Sequence, residues 1–82
     1  MYSEEMKKVM GFVRKEIALD RTNFNQLNYY KILNKADVKY KRTYMEGLIS
    51  GAFVFSGIKL HEYTALKMYI AWEYRRLERI YF

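Results

Sequence analysis

The stretch GLISGAFVFSG, residues 47–57, is the most apolar in the chain and carries no charge. How it folds decides the architecture. From Gly47 to Ile58 it counts 12 residues, and Glu46 and Lys59 close it at both ends. A helix needs about 20 apolar residues to cross a bilayer, so a membrane anchor is not expected here. Residues 52–55 have the side chains of a strand, but no second strand is available to pair with them. Followed upstream, the same region takes helical order. Tyr44, Met45, Leu48, Ala52 and Phe55 recur at helical spacing, and Ile49, Phe53 and Val54 put apolar groups on the other sides. A helix apolar all round is normally central and buried. The spacing therefore predicts a helix over about 38–56, capped by Asp37 and stopped by Gly57. Gly47 and Gly51, four apart, would let a neighbouring helix backbone come close.

The flanking segments are amphipathic. Ser3 caps a first helix reaching about Leu19, with Glu4 and Glu5 suiting its N-terminus. Met6, Met10, Val13 and Ile17 mark its inner stripe, with Val9 beside them. A break is expected at DRTN, residues 20–23. There Thr22 or Asn23 caps a second helix, and Gln26 stands three after Asn23 as a capping box requires. Phe24, Leu27, Tyr30 and Leu33 line that helix, and Asn34 ends it in a left-handed turn. The last helix starts near Leu60 with two stripes. One holds Tyr63, Leu66, Ile70, Tyr74, Leu77 and Tyr81. The opposite one holds His61, Ala65, Met68, Trp72, Arg75 or Arg76, and Arg79. The expected fold is all-α: one domain, residues 1–82, as a compact bundle of three to four helices around a central apolar helix near 38–56.

Composition agrees with that class. The 82 residues are 51% hydrophobic and 18% aromatic, with no proline and no cysteine. A chain of this length buries only about 60% of its unfolded surface, so its stability is marginal. Without cysteine there are no disulfides, thiolate metal sites or cysteine nucleophiles. Small secreted domains usually need disulfides, and MYSEEMKK lacks the apolar core of a signal peptide, so a cytoplasmic setting is expected. One histidine, His61, makes no metal cluster, and it reads as a surface residue at a helix start. The Gly47–Gly51 pair lacks the Gly-Lys-Ser/Thr of a phosphate loop. No nucleophile–base–orienter trio is recognisable. Neither an enzyme nor a cofactor is expected. The bias toward Lys, Ile, Tyr and Asn is that of an AT-rich gene, as in low-GC bacteria and their phages.

Charge supplies the functional clue. The net charge is +6, and residues 21–45 hold six cations (Arg21, Lys31, Lys35, Lys39, Lys41, Arg42) against one carboxylate, Asp37. Clustered cations bind a polyanion by releasing its condensed counterions. Tyr40 and Tyr44 stand among them, able to stack on bases or bond phosphates. Lys39, Lys41 and Arg42 also fall in the first turns of a helix, where positive charge is slightly unfavourable and an external anion would relieve it. The bland alternative is a solvated lysine-rich face. A helix-turn-helix joined around residues 34–36 is one container for the patch, although the usual small residue and turn glycine are missing.

The expected nucleic-acid (DNA) contacts are therefore Lys31, Lys35, Lys39, Tyr40, Lys41, Arg42 and Tyr44, with Thr43 alongside. The alternative function is a regulatory adaptor or inhibitor docking on a nucleic-acid-handling protein. Its protein interface would be Met68 and Trp72 rimmed by Arg75, Arg76 and Arg79, residue types common at binding hot spots. Against it stands the simpler placement of a lone tryptophan in the domain's own core. A homodimer is compatible with either function. KMYIAWEYRRLERIYF, residues 67–82, also mixes Trp, Tyr and Arg as interfacial helices do, but Glu73 and Glu78 dilute its charge and a membrane partner ranks last.

Overall fold

The structure, a computed structural model, describes residues 1–82. It consists of three helices and no strand: α1 (Glu4–Tyr29), α2 (Lys35–Phe55) and α3 (Leu60–Tyr81). Side-chain pairs fix their directions. Ser3 meets Glu62 and Asn25 meets Tyr81, so α1 and α3 run parallel. Lys41 meets Asp20 and Ser50 meets Tyr63, so α2 runs antiparallel to both. The bundle is up-down-up and elongated, 41 × 19 × 17 Å. Its core is one cluster: Met6, Val13, Ile17 and Phe24 from α1, Val38, Met45 and Ile49 from α2, Ile58, and Leu66, Ile70, Tyr74 and Leu77 from α3.

Several local expectations hold. The Ser3 hydroxyl accepts the Met6 N–H at 3.1 Å and caps α1. Gly57, at φ 75°, lies just past the end of α2, a backbone region that glycine enters without a Cβ clash. The stripe of α3 from Tyr63 to Tyr81 is buried or half-buried throughout.

Other expectations are corrected. No break occurs at residues 20–23, where α1 runs straight through. Three of the four polar residues that read as breakers are taken up by side-chain bonds, and Asn23 stays exposed on the helix. Asp20 is 2% exposed and accepts the Tyr74 hydroxyl. Arg21 pairs with Glu73 at 3.1 Å. The Thr22 hydroxyl bonds back to the Ala18 carbonyl, a bond a helix tolerates. A separate second helix is therefore absent, and with it the helix-turn-helix. α1 and α2 form a long antiparallel hairpin instead.

The turn differs too. The left-handed residue is Lys31, at φ 59°, not Asn34. Asn34 is the N-cap of α2, and Asp37 is the third residue of a reciprocal capping box, so the helix begins at Lys35.

The apolar helix at 38–56 exists as α2, but only one side of it is buried. Val38, Met45 and Ile49 reach the core, whereas Val54 and Phe55 are 68% and 88% exposed. Nor do its glycines serve a close approach within the chain: a Cβ at Gly47 or Gly51 meets nothing within 4 Å. Phe53 is spent on stacking against Tyr63 at 4.9 Å.

Two polar clamps tie the apolar layer together. At one end Glu62 accepts the backbone N–H of Lys59 (2.8 Å), the backbone N–H of Ser3 (2.7 Å) and the Ser3 hydroxyl (3.1 Å). Those bonds, the Lys59 amide foremost, hold its carboxyl below the ordinary value of 4.5. Toward the other end Asp20 takes the Tyr74 hydroxyl and the Lys41 ammonium, the latter at 3.4 Å. Burial first, and then the Asp20 bond, push Tyr74 well above the ordinary tyrosine value, so it stays a donor.

The clamps yield two expectations. A carboxyl depressed in the folded state contributes stability above its unfolded pKa and loses it as pH falls through the folded one. Denaturation followed from pH 5 downward should thus show declining stability below about 4.5, and Glu62→Gln should flatten that decline. Asp20→Ala strands a buried hydroxyl and the Lys41 ammonium, so urea unfolding should register a loss of about 2–4 kcal/mol. Tyr74→Phe should lose only about 1 kcal/mol. The reverse order would contradict the clamp.

Candidate nucleic-acid interface

The antiparallel hairpin places the turn at residues 30–34 beside the last turns of α3, since Asn25 and Tyr81 are bonded at 3.2 Å. Two cationic stretches distant in sequence therefore share one end of the bundle. The first comprises Lys31 in the turn and Lys35 and Lys39 on α2. The second comprises Arg75, Arg76 and Arg79 on α3. All six are exposed, and none forms an ion pair.

The carboxylates at this end are mostly engaged. Asp20 is held by Tyr74 and Lys41, Asp37 by the Asn34 amide, and Glu73 by Arg21. Glu78, on α3 between Arg75 and Arg79, is the carboxylate left without an ion pair among the six. The N-terminus of α2 opens at the same end and adds its own partial positive charge.

Each residue of the sequence-level patch has a definite place. Lys31, Lys35 and Lys39 are free and exposed as expected. Lys35, Lys39 and Arg42 do share a helix face, because the helix is continuous from Lys35. Lys41, however, is drawn toward α1 by Asp20 and lies 5.1 Å from the Tyr44 ring centre. Arg42 pairs with Glu46 at 3.1 Å, one turn on. Those two cations have internal partners. Tyr40 and Tyr44 are exposed, but by helical spacing they stand about 100° or more around α2 from Lys39 and Lys35, not among them.

Two further aromatics stand at this end of the bundle, next to Lys31 in the chain. Tyr29 and Tyr30 close α1, both exposed, in edge-to-face contact at 5.2 Å. Together with Arg21, Thr22, Asn25 and Gln26 they line a polar groove. The signal was present in the sequence as YYK, residues 29–31. It was masked by assigning Tyr30 to an inner stripe of a helix that does not exist separately.

The second candidate group also has its answer. Trp72 is 58% exposed, so it does not belong to the core; Tyr74, Ile70 and Leu77 fill that place. Met68 stands exposed one turn before it, and the Arg76 guanidinium lies 5.7 Å from the indole centre. Trp72 thus adjoins the arginines of the cationic end. A groove between α2 and α3 runs beside Met68, lined also by Arg42, Glu46, Leu60, Thr64 and Lys67. No helix is long and apolar enough to cross a membrane.

No protein-family model matches this chain, and no curated protein or solved structure is significantly similar to it.

Acrylamide should quench Trp72 fluorescence nearly as efficiently as it quenches a free indole. Strong shielding in a sample shown to be monomeric would contradict the exposed position.

Proposed function

We propose that this protein is a non-enzymatic nucleic-acid-binding module that grips the phosphate backbone with the cationic end of its bundle. The observation that carries the proposal is that Lys31, Lys35 and Lys39 share one end of the bundle with Arg75, Arg76 and Arg79, where Asp20, Asp37 and Glu73 are already engaged and Glu78 is left without an ion pair. Cations held apart from internal partners are the ones that release counterions from a polyanion. Tyr29 and Tyr30 offer faces on which unpaired bases stack, and Asn25 and Gln26 offer amides to base edges. Backbone contacts set the affinity, and the aromatic and amide groups add whatever preference there is. Lys41 and Arg42 take a minor part, because using them would break bonds to Asp20 and Glu46.

A second reading is favoured by the exposure of Trp72 and Met68. A partner protein could bury both while the arginines around them meet its acidic rim. A nucleic-acid-handling protein would suit both readings.

A salt titration of binding to labelled single-stranded and duplex oligonucleotides tests the proposal. Affinity should fall linearly on a log–log plot. Triple alanine replacement of Lys31, Lys35 and Lys39, or of Arg75, Arg76 and Arg79, should each reduce the slope by roughly 2–3. Absent binding, or a slope indifferent to both replacements, would refute it.

A further inference from the structure

Resting on the nucleic-acid reading above, we infer that the ligand is single-stranded and runs from the cationic end along the outer flank of α1 and α3, with bases stacked on Tyr29 and Trp72. The Arg21–Glu73 bond, 3.1 Å long, fixes where that flank lies. By helical spacing Asn25 and Tyr29 stand about 40° and 80° around α1 from Arg21, turning away from buried Asp20. On α3, Arg76 and Trp72 stand about 60° and 100° from Glu73, turning away from buried Tyr74. Both helices therefore present these residues on one outer surface, across the seam that Arg21 and Glu73 close.

The rings on this surface are spare, and each comes with a cation. Tyr29 is 79% exposed and Trp72 58%, and neither joins the core cluster. The Arg76 guanidinium lies 5.7 Å from the indole centre, and Lys31 follows the Tyr29–Tyr30 pair in the chain. A cation beside a stacking ring holds the phosphate next to the stacked base. Arg14 continues the track two turns before Arg21 and only about 20° from it, exposed and without an ion pair. The free carboxylates of these helices face elsewhere. Glu78 stands about 140° around α3 from Glu73, on the side of Lys67 and Ala71 that borders α2. Glu16 stands about 140° around α1 from Arg21, on the Asp20 side.

Spacing and width select a single strand. Asp20 and Tyr74 are bonded and so stand at one level. Tyr29 comes nine residues after Asp20 and Trp72 two before Tyr74, which sets the rings roughly 16 Å apart along the axis. Neighbouring stacked bases rise only about 3.4 Å. The two rings thus take bases several nucleotides apart, as aromatic platforms along a basic track do. A duplex cannot use them. Its base faces are covered by their neighbours, and its major groove, about 12 Å wide, admits one helix. The flank here is two helices of a bundle measuring 19 × 17 Å in section.

Trp72 is the one tryptophan in the chain, so its fluorescence reports on the track directly. A thymidine dodecamer should bind roughly 10-fold or more tightly than a duplex of equal length at equal salt, and should quench Trp72 where the duplex does not. Trp72→Ala should keep the helical circular dichroism and weaken single-strand binding roughly 5- to 150-fold, the effect of losing one stacked base. The salt slope should stay unchanged, because no cation is removed. Trp72→Phe should restore most of the affinity. Duplex binding as tight as single-strand binding, a Trp72 signal unmoved by the bound dodecamer, or single-strand affinity indifferent to Trp72→Ala would each overturn this inference and leave the cationic-end reading standing. Binding of neither oligonucleotide would overturn both.

Discussion

The Asp20 carboxylate is the one group on which all three helices depend. It sits on α1, buried, and its two partners come from the other helices: the Tyr74 hydroxyl from α3 and the Lys41 ammonium from α2. A carboxylate out of water is costly unless both charge and hydrogen-bonding capacity are met. It is met only when the helices stand at one height relative to each other. An apolar side chain in the same place would tolerate sliding. The bond therefore specifies register more than it adds stability, which matters in a bundle whose buried cluster is only a dozen residues. Glu62 does the same for the opposite end, binding the starts of α1 and α3 together.

That registration also decides what the surface can do. Holding Lys41 against Asp20 withdraws it from the cationic stretch, and Glu73 and Glu46 withdraw Arg21 and Arg42. Six of the cations left without an ion pair lie around one end, contributed by the turn, the first turns of α2 and the last turns of α3, while Lys8, Arg14, Lys15, Lys59 and Lys67 are spread along the rest of the bundle. Three of the carboxylates at this end, Asp20, Asp37 and Glu73, are consumed in building the fold, and Glu78 is left beside the arginines. Structure and electrostatic bias thus come from the same few bonds.

The helical class, the start of α1, the stop at Gly57 and the inner stripe of α3 were legible because each depends on neighbours within a turn or two. Periodicity and caps are local signals. The break expected at residues 20–23 failed because Asp20 and Arg21 find their partners 54 and 52 residues away. In isolation Asp, Arg, Thr and Asn look like a boundary. The burial of α2 was overstated for a related reason. Residues 47–57 are apolar in every direction, but a three-helix bundle offers any helix two neighbours, so a third side stays open. Of the cationic patch, the lysines at 31, 35 and 39 were legible from composition alone. Their meeting with Arg75, Arg76 and Arg79 was not, because it needs the topology. Trp72 was ambiguous in sequence, as a wheel gives two stripes without saying which faces inward.

An odd number of helices has a practical corollary. The first residue emerges beside Glu62 and the last beside the cationic tip, so the two ends lie about a helix length apart. A carrier or fluorophore joined ahead of Met1 stays clear of the tip. The same cargo attached after Phe82 would sit on top of it.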